Sequence, residues 1–433
     1  MVGQLAAKAA GVPDVPIVEY PGTVGVDHAE IRDKITTVLF DRIVNALTKP
    51  VKSRSPGKAD AWNSKAIVYT GSFEQINDHF QEQDWSDGLP IVPPTLERVE
   101  QFLKFTDRSP EEVIAVLPQA NLRATIWNIA ANGVMAGCKP QAMPLLVAIA
   151  EALQEDQFNL NNIGTTWGIM PYVIVNGPIA RQLGMNSGAG LISRGANPAL
   201  GRALGLIIRN IGGYKPARNQ MGTFGYPICF AFAEDEELSP WEPLHVERGF
   251  ARNTSTVSVS TTMNWGFQPS PYTRDDKSGA ECALQQLCRD AVRKPALALF
   301  AERGPTAFVN DILFVLAPPV AKVIADAGYS KNDIRRYVYE NTKVPRSYMD
   351  FELKYTMAEV HSIEEKIQLG TFPPSFAVGP DELIQVMPGP EYIDIVVAGD
   401  PGRNRIKTLD SGYTRVTTKE VKLPASWDEL LKS

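Results

Sequence analysis

Apolar residues recur every three or four positions from Ile31 to Leu47. Ile31, Ile35, Val38, Leu39, Ile43, Ala46 and Leu47 fall on one face, which predicts an amphipathic helix that Asp27 can cap and Pro50 ends. Before it, an Ala-rich stretch predicts a short helix and residues 15–18 a strand; residues 66–69 predict another strand. Ser72-Phe-Glu-Gln75 and Ser109-Pro-Glu-Glu112 both carry the capping-box spacing, and each predicts a helix start. Thr95 is a further cap. Ile126–Ala136 and residues 140–153 are small and apolar almost throughout, the pattern of helices buried on all sides. From 165 to 210 short β-like runs alternate with glycine turns, and a helix begins near Pro198. Residues 257–263 read as a strand, Ile312–Leu316 as a strand followed by a helix over 320–327, and Ile393–Val397 as a strand entering the Gly399-Asp-Pro-Gly402 turn.

These elements predict a mixed α/β (α+β) fold of two packed units, with several short strands and largely buried Ala-rich helices. The expected divisions are an N-terminal helix and strand extension (1–80), a central glycine- and asparagine-rich domain (81–270) and a C-terminal α/β domain (271–433). A chain of 433 residues is long enough for more than one core. Forty-three Lys and Arg against 49 Asp and Glu leave a net charge of -6, which argues against a nucleic-acid binder. No run approaches the roughly 18 apolar residues that span a bilayer, and the N-terminus lacks the basic and apolar regions of a signal peptide. The four cysteines show no CxxC spacing, so no disulfide framework is expected and the cytoplasm is the expected compartment. Four histidines without HxH or HxxxH spacing argue against a dedicated zinc site, and the sequence leaves the cofactor open.

The candidate chemistry lies between Asp84 and Glu247. Asp84-Trp-Ser-Asp-Gly-Leu-Pro-Ile-Val-Pro-Pro-Thr95 is too rich in proline for helix or central strand, and it presents Trp85 and the carboxylate Asp87 on a stiff connector. Cys138 precedes the helix opened by Pro140 and follows a glycine, with Lys139 beside it. That setting favours a thiolate, while a small buried packing residue is the plain alternative. In Arg194-Gly-Ala-Asn-Pro-Ala-Leu-Gly-Arg202, Asn197 suits an N-cap and Gly195 lets backbone approach a ligand. Arg194, Asn197 and Arg202 could seat an anion, or could simply be a capped helix with ordinary ion pairs. Asn132 and Asn176 belong to a dense set of asparagines that either fix loops or orient a substrate. Glu234 follows an apolar run and is expected to face a site, whereas Glu236 and Glu237 read as a solvated edge. His245 and Glu247, two apart on an extended segment, would point to one side.

Several segments together resemble a bacterial family related to the selenocysteine-Gly-Ser-Cys (UGSC-type) proteins: residues 84–95, Asn132-Gly-Val-Met-Ala-Gly-Cys138, Asn176-Gly-Pro178, Ala196-Asn197 with Gly201-Arg202, Asn210-Ile-Gly-Gly213 and residues 234–241. The resemblance runs over most of the chain from about residue 10. It implies a redox or thiol-linked role, yet the redox motif itself does not occur here. The corresponding expectation is a separate small redox-type subunit docking on the N-terminal helix and strand, within an oligomer.

Three functions follow. The first is an enzyme component acting on a small anionic substrate, held by Arg194, Arg202, Asn132 or Asn176, with Glu234 moving a proton and Cys138 or a partner's thiol or selenol supplying redox chemistry. The second is a non-redox hydrolase or lyase using Asp84, Asp87 and Glu234. The third is a non-catalytic scaffold. The first two require the arginines and amides of the middle third to converge on one cavity.

Overall fold

The computed structural model describes residues 7, 14–22, 28–49, 65–117, 122–166, 168–216, 218–225, 229–263, 265, 269–292, 311–356, 361–385, 387, 389–411 and 414–432. Expectations for most of the first thirteen residues, for Asp27 and for residues 293–303 lie outside them.

The fold is mixed α+β. In chain order the strands are β1 (Val113–Leu117), β2 (Leu122–Thr125), β3 (Met170–Asn176), β4 (Phe230–Ala233), β5 (Thr256–Thr262), β6 (Ile312–Leu316), β7 (Lys343–Pro345), β8 (Leu383–Gln385), β9 (Ile393–Val397), β10 (Ile406–Asp410) and β11 (Thr417–Glu420). Two sheets organise the molecule. The first runs β11-β5-β3-β4, with β3 and β4 parallel and β5 antiparallel to β3; the second runs β10-β6-β9, with β6 and β9 parallel.

The alternation of side chains along a strand explains the layering. Val173 and Val175 of β3 face one way, into a core built with the helices Ile126–Ala136, Met143–Leu153 and Asn197–Asn210. Tyr172 and Ile174 face the other way and meet Leu313 and Val315 of β6 and Val396 of β9. The intervening residues of the second sheet, Phe314, Ile395 and Val397, turn outward to the helices Gly279–Val292, Pro318–Asp326 and Lys331–Asn341. Two sheets thus pack face to face with helices on both outer sides. The last strand, β11, returns to the first sheet, so the chain's end belongs to the core of the central segment.

The expected helices at Ser72 and Thr95 form with their caps, Ser72 as a full capping box, and Ile126–Ala136 and Met143–Leu153 are buried as expected. Two expectations are corrected. Ser109-Pro-Glu-Glu112 opens a turn into β1, because the β-branched Val113, Ile114 and Val116 favour a strand that pairs with β2. Residues 15–18 and 66–69 are extended but join no sheet. The N-terminal helix forms as expected over His28–Thr48; of its apolar face Leu39 is buried, while Ile35, Ile43 and Leu47 stand 43%, 40% and 82% exposed.

Candidate active site

β3 and β4 run parallel and end in polar residues side by side, at the strand edge where α/β sheets present ligands. β3 closes with Asn176, and β4 is followed at once by Glu234. Gly177 then turns the chain at φ +84°, and a Cβ there would lie 2.4 Å from the Thr254 carbonyl oxygen, so only glycine fits.

Asn176 Nδ2 donates to Glu234 Oε2 at 2.7 Å and to Glu236 Oε1 at 3.1 Å. The Gly177 amide donates to the same Glu236 oxygen at 2.7 Å, and the Leu244 amide to Glu234 Oε2 at 2.9 Å. Glu234 is wholly buried, with Lys331 Nζ 3.9 Å from an Oε1 that has no hydrogen-bond partner. Burial pushes its carboxyl up, against the opposing pull of Lys331, the Leu244 amide and Asn176. Lys331 also donates to Glu247 Oε2 at 2.8 Å, and Arg335 to Glu247 Oε1 at 2.9 Å. This row ties the first sheet to the helix Lys331–Asn341.

Glu236 is the carboxylate that reaches solvent. Behind it His245 is fully buried, donating from Nε2 to the Arg252 carbonyl at 3.2 Å. Its Nδ1 has no hydrogen-bond partner and lies 3.9 Å from Glu236 Oε1. Because a carbonyl only accepts, Nε2 carries the hydrogen, and in the neutral ring Nδ1 is the lone-pair nitrogen. A carboxylate held in place by two N–H donors at the floor of a cleft is positioned to accept a proton from a bound molecule.

A cleft of about 660 Å³ opens over these groups, lined among others by Gly177, Arg181, Ser187, Asp235, Glu236 and Arg252. Arg181 pairs with Glu237 at 2.6 Å and Arg252 with Glu242 at 2.7 Å, and all four side chains are more than half exposed. Such pairs contribute little, so either arginine can exchange its partner for a ligand's anionic group. The Gly399 amide donates to the Ser187 carbonyl and the Asp235 amide to the Val397 carbonyl, each at 2.7 Å, so the end of β9 backs the cleft. Among the described residues no three His, Cys, Asp or Glu side chains gather as metal ligands.

Of the residues singled out from the sequence, Glu234 and Asn176 meet here. The others are placed elsewhere. Asp87 and Arg202 bind each other through two bonds, Nε to Oδ2 at 2.9 Å and Nη2 to Oδ1 at 2.8 Å. Burial pushes the Asp87 carboxyl up, but the Arg202 hydrogen bond and charge, with neighbouring amides, hold it below its usual value. Asn210 binds the Trp85 carbonyl and Asn132 Oδ1, and Trp85 packs against Phe80. Together these contacts fasten the 84–95 connector to the helix Asn197–Asn210. Asn197 is the first residue of that helix and not its cap. Its side chain binds the Asn186 amide and carbonyl and the Leu191 carbonyl, pinning the loop before it. The close approach that Gly195 permits is to the Gly184 carbonyl. Arg194 is exposed. Cys138 faces another cavity, and burial pushes its thiol up to about 12 although the Arg202 charge opposes this. The expected convergence of Arg194, Asn132 and Glu234 is therefore corrected: the cleft lining contains Glu234 and neither of the others.

Glu236, His245 and Lys331 take places the sequence reading did not give them. Leu244–Glu247 is one helical turn, not an extended segment, so His245 turns to Glu236 and Glu247 to Lys331. The usable signal was the repetition of one pattern, a fully apolar strand ended by a polar side chain, at Asn176 and at Glu234. No protein-family model matches the sequence, and no curated protein or solved structure is similar to it.

Proposed function

We propose that the protein is an enzyme doing proton-transfer chemistry, of the hydrolase or lyase kind, on a small polar molecule held in the cleft at the ends of β3 and β4. The observation that carries this is Glu236, fixed by the Gly177 amide and Asn176 at the cleft floor, with the buried lone-pair nitrogen of His245 3.9 Å behind it. Glu236 takes the substrate's proton, and the Gly177 amide and Asn176, itself held by Glu234, position the carboxylate. Arg181 and Arg252 would hold an anionic group of the substrate, which keeps the expected substrate class while moving its seat away from Arg194 and Arg202.

The redox reading rests on the sequence resemblance. Three of the chain's four cysteines give it little support, since burial pushes Cys138 and Cys229 up to about 12 and Cys288 up to about 11. A thiol or selenol from a partner subunit is the form in which that reading survives.

The test is to incubate the protein with a small-molecule extract of its host cells and follow depletion by mass spectrometry. Glu236→Gln should slow the consumption of whichever metabolite the wild type consumes by at least about 100-fold, while Glu237→Gln, one residue along and exposed, should not. Equal rates for wild type and Glu236→Gln would end this reading.

A further inference from the structure

The short helix Pro178–Gln182 borders two cavities: Pro178 and Arg181 line the cleft, and Gln182 lines a second hollow of about 500 Å³. That volume lies in the range of small-molecule sites. Its wall is largely apolar, built from Ala142, Leu145, Met185, Ala199, Leu200 and Leu431. Among the described residues two amide side chains, Gln141 and Gln182, interrupt it, and Gln141 Oε1 is buried without a hydrogen-bond partner. Gln182 Oε1 already accepts from Trp427 Nε1 at 3.1 Å. The Cys138 thiol, held protonated by burial, behaves as part of the apolar wall. Lys139 is the only charged residue in the lining among the described residues, and no side chain caps the helix that begins beside the cavity at Asn197. A hollow with apolar side chains along its wall, two amides and one cation at its edge matches a ligand with an apolar tail and an anionic end.

We propose that this second cavity binds a small monocarboxylate with an aliphatic or aryl tail, the carboxylate at Lys139 and the tail against Leu145, Leu200 and Leu431. The site is separate from the cleft and does not depend on the reaction proposed for it.

Hexanoate is a suitable probe, followed by calorimetry and saturation-transfer NMR on the full chain. For a ligand of this size the expected Kd is on the order of 1 mM. Hexan-1-ol and hexylamine, matched in tail but not in charge, should bind at least about tenfold more weakly. Lys139→Glu should weaken hexanoate by at least about tenfold. Ala199→Trp, which fills the hollow, should abolish binding with the circular dichroism spectrum unchanged. Leu431→Trp fills it from the other side should the first variant not fold. Arg181→Ala, in the cleft, should leave hexanoate affinity as it is. The proposal is overturned by wild-type protein that fails to bind hexanoate at about ten times the expected Kd, by binding that survives both tryptophan variants, or by binding lost in Arg181→Ala but kept in Lys139→Glu.

Discussion

Replacing Arg202 by Met separates an anchoring arginine from a substrate-binding one. The wild-type guanidinium makes two charge-assisted bonds to Asp87 at 2.8 and 2.9 Å, and reaches the carbonyls of Leu89 and Pro90 at 3.2 and 3.0 Å. Bonds to charged groups contribute about 1.5–3 kcal/mol each when removal leaves the partner buried. Here the side chains are 15% and 22% exposed, so water recovers part of the loss. We expect a cost of about 2–3 kcal/mol, which is roughly a 30- to 150-fold change in an opening equilibrium. The effect should be local. Amides of the connector bond to Phe80, Asn77, Met135 and the side chains of Ser86 and Asp87, and they open together if the clamp goes. Hydrogen exchange of the peptide spanning residues 84–95 should accelerate by that factor at neutral pH. The gap between wild type and variant should narrow with acid. The folded-state pKa of Asp87 lies below its unfolded value, so the pair's contribution is full above about pH 4 and is lost as pH falls through the folded value. Unchanged protection of residues 84–95 in Arg202→Met would refute the clamp.

Other predictions follow the same logic. Gly177→Ala forces a Cβ to 2.4 Å from the Thr254 carbonyl and an unfavourable φ, so thermal unfolding should show a loss of more than about 2 kcal/mol; a wild-type melting curve would contradict the close approach. The Cys138 thiol, at about 12, should react with iodoacetamide at pH 7.5 roughly 1,000-fold more slowly than an ordinary thiol, read by mass spectrometry of its peptide. A rate near that of free cysteine would show an open thiolate. Burial, joined by the charge of Asp394, pushes Asp311 up to about 7. Its folded-state value is raised, so its contribution is complete below about pH 4 and is lost as pH rises through 7. Between pH 4 and 8 wild type should lose more stability than Asp311→Asn, and parallel profiles would refute this.

Much of the local structure could be read from the chain because its signals are local. Ser72 with Gln75, and Thr95, act within one turn, and each caps a helix. The sheets were harder. β3 pairs with a β4 more than fifty residues away, and periodicity along one strand does not name its neighbour. The same limit governed the site. Asp87 and Arg202 had the character of functional groups, polar residues on rigid segments, but each one's partner was the other, 115 positions away. Glu234 was legible because a carboxylate that ends an apolar strand must be paired or protonated. Glu236 was not, since nothing in a run of four acids shows which of them turns inward to Asn176 and Gly177.

The central claim is that the working groups sit at the joined ends of β3 and β4. A crystal structure of Glu236→Gln, loaded with the metabolite that wild-type protein consumes, tests it most directly. The account predicts that molecule in the cleft, with the residue 236 amide in hydrogen-bond contact with it and Arg181 or Arg252 on its anionic end. The same molecule lodged against Cys138 and Lys139, with residue 236 untouched, would contradict it.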